Sequence, residues 1–194
     1  DVCPLIPIKN VSTKECIKYS TVLAKKVSNE LKIPVYLYEH SATSDYRKNL
    51  ANIRQGEYEG MFDKIKKKEW YPDFGKPENS KKNGVTAIGV RDFLIAYNIN
   101  LNTSDKKIAT DIALDIREAG RAKRDSKNKI IRDKKGNMTK QPGTLKYCKA
   151  VGWYIDEYRQ AQVSINLTNY SKTSLYKTFE EVRRLISFLP LNNL

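Results

Sequence analysis

The amino-acid sequence predicts a mixed α/β (α+β) fold in two parts, because strand-like and helix-like segments alternate along both halves of the chain. The first half follows the order strand, helix, strand, and the second follows strand, helix, strand, strand, helix. A change of pattern near Arg91 predicts one domain over 1–91 and another over 92–194. The second order is that of a split βαβ, or ferredoxin-like, sandwich that needs one more strand, so the natural C-terminus is expected further downstream.

The first half opens on an apolar run at 1–8 that is typical of a buried strand, and the natural N-terminus is therefore expected upstream. Residues 12–15 form a capping box, in which a serine and a glutamate side chain accept hydrogen bonds from free amides at a helix start. The helix is predicted to end before Pro34, with a strand at 35–38 that runs parallel to the first. Its apolar residues at helical spacing are Cys16, Tyr19, Leu23, Val27 and Leu31.

The remaining elements are predicted from the spacing of apolar residues and from the glycines and prolines that interrupt helices and strands. The rest of the first half predicts an interrupted helix, a loop and a strand, at 44–68, 69–84 and 85–90. In the second half, Ser104 is the predicted N-cap of a helix with an apolar stripe that ends at Gly120. The strands and the last helix of this half are predicted at 93–101, 145–155, 161–167 and 173–188.

The chain is strongly basic, with 36 lysines and arginines against 22 acidic residues and a net charge of +14. This balance favours anionic partners, which include nucleic acids, acidic membranes and polyanionic small molecules. Nine basic residues and two acidic ones lie within 121–140. We interpret this segment as a solvated hairpin, with phosphate binding as the alternative. It lacks the interleaved aromatic residues that stack on bases, so nucleic acid is not expected as a partner.

The number and spacing of the cysteines and the single histidine do not favour disulfides or metal sites. Cys3, Cys16 and Cys148 are far apart and odd in number, which predicts reduced thiols in a cytoplasmic protein. The single histidine cannot complete a zinc site with them, so no metal is expected. No apolar run approaches the ~20 residues needed to span a bilayer, and a membrane partner is not expected.

Two polar residues that follow the second predicted strand are candidate site residues. His40, the only histidine, lies beside Glu39 and could act as a general base, although no nucleophile pattern accompanies it. A surface histidine is the more ordinary interpretation. Glu39 lies at the carboxyl end of a predicted strand, which is where open α/β sheets commonly form a ligand-binding crevice. It is therefore either a substrate contact or a solvated carboxylate.

The loop that follows combines aromatic residues with glycines and lysines. Segment 69–75, which contains Trp70 and Phe74, predicts either a wall against which a flat heterocycle stacks or a loop pinned to the core. Residues 75–84 are bracketed by glycines and supply free amides and lysines for an anionic ligand. The spacing of a P-loop is absent.

Ten segments together resemble the glutamate formimidoyltransferase family, which also forms the transferase half of formiminotransferase-cyclodeaminase. They occur in family order, at 1–7, 34–38, 53–59, 70–75, 84–91, 93–101, 116–121, 141–143, 151–154 and 161–167.

The resemblance implies a transferase of histidine catabolism that moves a formimino group from N-formimino-L-glutamate to N5 of tetrahydrofolate. Tetrahydrofolate is then a co-substrate, no metal takes part, and a cytoplasmic homodimer is expected. The implied fold is two ferredoxin-like split βαβ subdomains with folate between them. Residues 1–91 would be the C-terminal part of the N-terminal subdomain, and residues 92–194 the C-terminal subdomain without its last strand, so that both are incomplete.

The resemblance also assigns a folate-binding stretch, and it implies that the catalytic residue lies upstream of this sequence. The family's folate-binding stretch matches Gly75, Lys76, Pro77, Glu78, Asn79, Ser80, Lys81, Lys82, Asn83 and Gly84. The family's catalytic histidine lies a few residues upstream of the segment that matches Asp1, so no catalytic residue is predicted here and these 194 residues alone are expected to be inactive. The basic insert at 124–140 is absent from some relatives and is interpreted as a surface elaboration.

Two alternatives from other functional classes stay open on the sequence. One is a non-catalytic remnant that binds folate or a polyanion. The other is a basic nucleic-acid-binding protein driven by the net charge of +14.

Overall fold

The structure is a computed structural model, and it describes residues 1–78 and 81–187. The chain divides into two compact units, Asp1–Asp92 (unit 1) and Phe93–Leu194 (unit 2). Each unit has its own sheet and its own hydrophobic core. Within the described residues, no helix is both long enough and apolar enough to cross a membrane.

Unit 1 is built on a three-stranded parallel sheet. Its strands are β1 (Val2–Leu5), β2 (Val35–Glu39) and β3 (Thr86–Val90), in the order β1-β3-β2. Both pairings of the central strand are parallel, which confirms the predicted direction of β1 and β2. The two strands are not neighbours, however, because β3 lies between them.

Helix α1 (Thr13–Leu31) connects β1 and β2, and its start is the one predicted. The Ser12 hydroxyl accepts a hydrogen bond from the Glu15 amide at 3.2 Å, and the Glu15 carboxylate accepts one from the Ser12 amide at 2.8 Å. The predicted apolar face was wrong in part, since Tyr19 is 61% exposed and Leu31 58%. Small side chains let the helix approach the sheet, and its buried residues are Cys16, Ser20, Ala24 and Ser28.

The connection from β2 to β3 confirms the predicted interrupted helix. It contains α2 (Asp45–Lys48), α3 (Leu50–Arg54), α4 (Glu57–Lys64) and a 3-10 turn at Lys68–Trp70. Gly56, with φ of 88°, separates α3 from α4 in a left-handed conformation that glycine adopts without strain. The helices cover one face of the sheet through a core made of Tyr36, Tyr38, Ile53, Met61, Ile65 and Ala87.

Unit 2 has an antiparallel sheet in the order β4-β8-β7. Its elements are β4 (Ile95–Asn100), α5 (Lys106–Ile116), β5 (Arg121–Ala122), β6 (Lys140–Gln141), β7 (Cys148–Ile155), β8 (Gln160–Leu167) and α6 (Leu175–Ser187). Because β8 lies between β4 and β7, these strands have the split βαβ arrangement. The predicted N-cap was one residue early, since the Asp105 carboxylate accepts from the Lys107 amide at 2.7 Å.

The mixed α/β class is therefore confirmed, while the complete ferredoxin-like sandwich stays a prediction. Among the described residues, the β4-β8-β7 sheet of unit 2 has three strands and lacks the fourth that the sandwich needs, and residue 188 of the predicted last helix lies outside those residues. The described strands of unit 1 are all parallel, unlike those of a ferredoxin-like sheet.

Candidate functional site

A cavity of about 610 Å³ lies in unit 1 at the edge of the sheet where β1 and β3 begin. Buried Ile53, Met61 and Ala87 form part of its lining. Polar side chains from α3, α4 and the loop before β3 complete it. These are Arg54, Glu57, Tyr58, Lys82 and Asn83. The cavity thus combines an apolar lining with polar groups of both charges, as small-molecule sites commonly do.

The loop at 75–84 reaches the cavity only with its last part. Lys82, Asn83 and Gly84 line the cavity, whereas residues 76–78 are exposed and are not part of the lining. Gly75 packs against the end of α1, since a Cβ there would lie 2.7 Å from the Ser28 hydroxyl oxygen. The predicted site residues Asn79 and Ser80 lie outside the described residues.

Tyr58 holds the last part of this loop in place. Its hydroxyl donates a hydrogen bond to the Lys81 carbonyl oxygen at 2.8 Å, and its ring packs edge-on against Phe62 with centroids 5.2 Å apart. The same ring faces Gly84, where an added Cβ would come within 3.6 Å. Sequence reasoning assigned no role to Tyr58, although it lies in one of the segments that resemble the family.

Replacing Tyr58 with phenylalanine removes one hydrogen bond and leaves the ring. We expect the free energy of unfolding of unit 1 to fall by about 0.5–1.5 kcal/mol. Trypsin should also cleave faster after Lys81 or Lys82, because the loop loses its tether. Tyr19→Phe is the matched control, since Tyr19 is 61% exposed on α1. Equal cleavage rates for the two variants would contradict the tethering role.

Arg54 is the cavity residue best suited to an anionic group. It ends α3, is exposed, and makes no ion pair within the described part of the chain. An exposed guanidinium without an ion pair can bind a carboxylate through two parallel hydrogen bonds. Lys82 adds a second positive charge to the lining, and Glu57 a negative one.

The segment at 69–75 is pinned to unit 1, which decides between its two predicted interpretations. Arg47 and Asp73 form an ion pair at 2.9 Å, and their side chains are only 7% and 8% exposed. Asp73 also accepts from the Leu37 amide at 2.8 Å. Arg47 donates to the carbonyl oxygens of Tyr71 (2.6 Å) and Glu69 (3.0 Å), so it holds the segment through two backbone groups as well as through Asp73.

The aromatic residues of this segment are occupied by contacts within unit 1. Trp70 packs edge-on against Tyr46, with centroids 5.1 Å apart, and the Lys64 ammonium lies 3.9 Å from its ring centroid. Burial raises the pKa of Tyr36 to about 12, so its hydroxyl stays protonated and donates to the Trp70 carbonyl oxygen. Trp70 therefore supports the core instead of forming an open stacking wall.

Glu39 and His40 lie at the opposite edge of the sheet, where the parallel strands end. The His40 Nε2 is 3.5 Å from an Asp92 carboxylate oxygen, and the two side chains are 45% and 66% exposed. Neither Glu39 nor His40 lines the cavity. These positions agree with the interpretation of His40 as a surface residue.

The three cysteines are free thiols, and two of them, Cys16 and Cys148, are buried. Burial, aided by the nearby Glu118 carboxylate, raises the pKa of Cys148 to about 12, which leaves it an unreactive thiol. Across residues 1–78 and 81–187, no group of three or more histidine, cysteine, aspartate or glutamate side chains is arranged to hold a metal ion.

Comparison with known families gives a match over each half of the chain. The model described as "Formiminotransferase domain, N-terminal subdomain" matches residues 1–91, and "Formiminotransferase domain" matches residues 96–192. The two matched ranges correspond closely to unit 1 and unit 2.

Curated relatives have the same names across distant organisms. The chain is 44% identical to formimidoyltransferase-cyclodeaminase of Dictyostelium discoideum, over 93% of the chain and 30% of the relative. It is 41% identical to glutamate formimidoyltransferase of Streptococcus pyogenes serotype M1, over 94% of the chain and 54% of the relative. The enzyme of that name from Thermoplasma acidophilum is 38% identical, with the same two coverages. The chain therefore spans about half or less of the length of these relatives.

Proposed function

The chain belongs to the formiminotransferase domain family, and on that premise we propose that it takes part in moving a formimino group from N-formimino-L-glutamate to N5 of tetrahydrofolate. The relatives it matches are named as transferases of this group. The observation that carries the proposal is the cavity of unit 1. It is lined by the end of the stretch that resembles the family's folate-binding segment.

The proposed transfer reaction requires particular functional groups at its site. The N5 amine attacks the formimino carbon, a tetrahedral intermediate forms, and glutamate leaves. A base must accept the N5 proton, an acid must protonate the leaving amine, and fixed polar groups must stabilise the intermediate. The resemblance puts the proton-transferring histidine a few residues upstream of Asp1. Asp1 itself borders the cavity.

We propose that the loop at 81–84 contacts tetrahydrofolate and that Arg54 binds a carboxylate of one of the two substrates. Both substrates carry glutamate carboxylates, and Arg54 is the cavity's guanidinium without an ion pair to the described residues. Tyr58 acts as a positioning residue, because it holds the loop through the Lys81 carbonyl oxygen. On the family resemblance we also propose a cytoplasmic protein that forms a homodimer. Sedimentation of the purified protein tests the dimer, and cell fractionation tests the location.

Anaerobic titration of the 194-residue chain with tetrahydrofolate tests the site. We expect Arg54→Gln to weaken binding by about tenfold, the size of one lost charge-assisted hydrogen bond. Lys18→Gln is the control, because it removes the same charge from an exposed position on α1. Equal affinities for these two variants would rule out the role of Arg54.

A second variant tests the loop. Residues 76–83 are replaced by a Gly-Ser linker of equal length, and we expect tetrahydrofolate affinity to fall by at least tenfold while unit 1 stays folded. In a Trp153→Phe background, the fluorescence of Trp70, the one tryptophan of unit 1, reports folding of that unit. A folded variant with unchanged affinity would overturn the folate assignment of the loop.

A further inference from the structure

The basic segment folds into a three-armed structure, the basic arm (residues 121–141). Its stem is the β5–β6 pair. Two hairpins extend from the stem, one closed by the bridge between Arg124 and Ile130 and the other by the bridge between Arg132 and Met138. The stem is held on α5, since Arg121 makes ion pairs with Asp115 at 2.6 Å and Asp111 at 3.6 Å.

A closed ring of three backbone hydrogen bonds joins the stem and the two hairpins. The Ile131 amide donates to the Lys123 carbonyl oxygen (2.9 Å), the Thr139 amide to that of Ile131 (2.9 Å), and the Lys123 amide to that of Thr139 (3.0 Å). Lys123, Ile131 and Thr139 follow one another at intervals of eight residues, and each both donates and accepts one of these hydrogen bonds. The sequence prediction of a single solvated hairpin was therefore incomplete, because this junction depends on contacts that no local pattern encodes.

The two hairpins are near-copies of one turn, and each uses its carboxylate internally. One Asp125 oxygen accepts two backbone N–H groups, from Lys127 and Lys129, both at 2.9 Å. One Asp133 oxygen accepts from the backbone N–H groups of Lys135 (2.8 Å) and Asn137 (2.9 Å). These hydrogen bonds hold the pKa of Asp133 below its usual range. Both carboxylates thus stiffen the turns.

The arginine that precedes each aspartate closes the same turn. Arg124 donates to the Asn128 carbonyl oxygen at 2.7 Å, and Arg132 to the Gly136 carbonyl oxygen at 2.9 Å. Asn128 and Gly136 both have positive φ, at 62° and 80°, as a tight turn of this kind requires. The two hairpins therefore present their lysines from a fixed backbone.

The lysines of the arm are exposed and uncompensated. None of them has an ion pair or a side-chain hydrogen bond to the described residues. They are Lys123, Lys127, Lys129, Lys134, Lys135 and Lys140. Lysines that neutralise the phosphates of a polyanion such as DNA release the cations condensed on it, which favours binding.

We propose that the basic arm is a docking surface for duplex DNA, which it binds through phosphates without sequence preference. A two-stranded β-ribbon fits the major groove of B-form DNA, which is about 12 Å wide. The absence of aromatic residues from 121–141 disfavours single strands, which proteins bind by stacking on the bases.

The arm fits a membrane surface less well. A loop that inserts into lipid needs apolar side chains at its tip. Here the exposed aliphatic side chains, Ile131 (41%) and Met138 (43%), lie at the junction and at the base of the second hairpin. Lys127 and Lys135 occupy equivalent positions in the two turns. Lysines at the tips and aliphatic residues at the base match a phosphate backbone better than a bilayer.

The test measures binding of the 194-residue chain to a fluorescent random-sequence duplex between 50 and 200 mM salt. The slope of log K against log salt becomes shallower by about 0.9 for each phosphate that the protein no longer neutralises. We therefore expect the double variant Lys127→Gln/Lys135→Gln to bind with a slope shallower by about 1.8. The control Lys14→Gln/Lys18→Gln removes the same charge from exposed positions on α1 and should keep the original slope.

Thermal unfolding of both double variants is measured in parallel, and neither should change, since these lysine side chains hold no contact in the fold. Equal slopes for the two variants would overturn the proposal, as would tighter binding to single strands than to duplex. Binding to vesicles that contain phosphatidylserine, without binding to duplex, would show instead that the arm serves a membrane. Tetrahydrofolate affinity is expected to be unaffected by Lys127→Gln/Lys135→Gln.

Discussion

Replacing Asp73 with asparagine is expected to lower the free energy of unfolding of unit 1 by about 3–5 kcal/mol, because it leaves the buried Arg47 guanidinium without its charge partner. The two side chains are 2.9 Å apart and almost fully buried. Asparagine keeps the size of the side chain, so the decrease reports charge pairing instead of packing. The segment at 69–75 should loosen with it, since the same arginine holds the carbonyl oxygens of Glu69 and Tyr71.

Urea unfolding followed by Trp70 fluorescence measures this decrease. Trp153, the other tryptophan, belongs to unit 2, so a Trp153→Phe background isolates the signal of unit 1. The matched control is Asp45→Asn, which breaks an ion pair with Lys48 of similar length, 2.7 Å, but with both side chains well exposed. Water screens that pair, so the control should change stability far less. Similar decreases in the free energy of unfolding for both variants would refute the claim that the buried Arg47–Asp73 pair stabilises unit 1 more than the exposed pair does.

Gly152→Ala is expected to destabilise unit 2 by about 1–3 kcal/mol or more, since the added methyl group has no room. A Cβ at this position would overlap the Thr110 nitrogen and lie 2.5 Å from the carbonyl carbon of Ala109. Both are backbone atoms of α5, which cannot turn aside as a side chain would. The helix would have to move away from β7, which would loosen the packing of a core that includes Ile112 and Ile116.

Gly60→Ala serves as the control for Gly152→Ala, because it adds the same methyl group at a position that has room for it. Gly60 lies within α4, and a Cβ there meets no atom within 4 Å. Alanine should therefore stabilise unit 1 by about 0.5–1 kcal/mol through its higher helix propensity. Unfolding of unit 2 is followed by Trp153 fluorescence and that of unit 1 by Trp70. A stable Gly152→Ala variant would show that α5 and β7 are less tightly packed than the structure describes.

The candidate site could be predicted only in part, because the cavity draws on three separate segments. The sequence pointed to the loop at 75–84 through its glycines and its resemblance to a family. It did not identify Arg54 or Tyr58, whose contribution depends on α3 and α4 lying against the start of β3. Nor did it decide the role of Trp70, because a stacking wall and a pinned loop have the same local composition.

Features that arise from neighbours along the chain could be predicted from the amino-acid sequence alone. The capping box at 12–15, the strand before His40, the two-part division and the family all follow from short segments. The first depends on hydrogen bonds between residues three positions apart, the second on an apolar run, and the last two on the order of segments along the chain.

Contacts between distant segments could be identified only from the folded structure. It put β3 between β1 and β2, paired Arg47 with Asp73, brought Gly152 against α5, and closed the three-way junction of the basic arm. These interactions join residues between eight and more than forty positions apart. Their formation depends on the packing of whole helices and sheets, which the spacing of residues in a sequence does not specify.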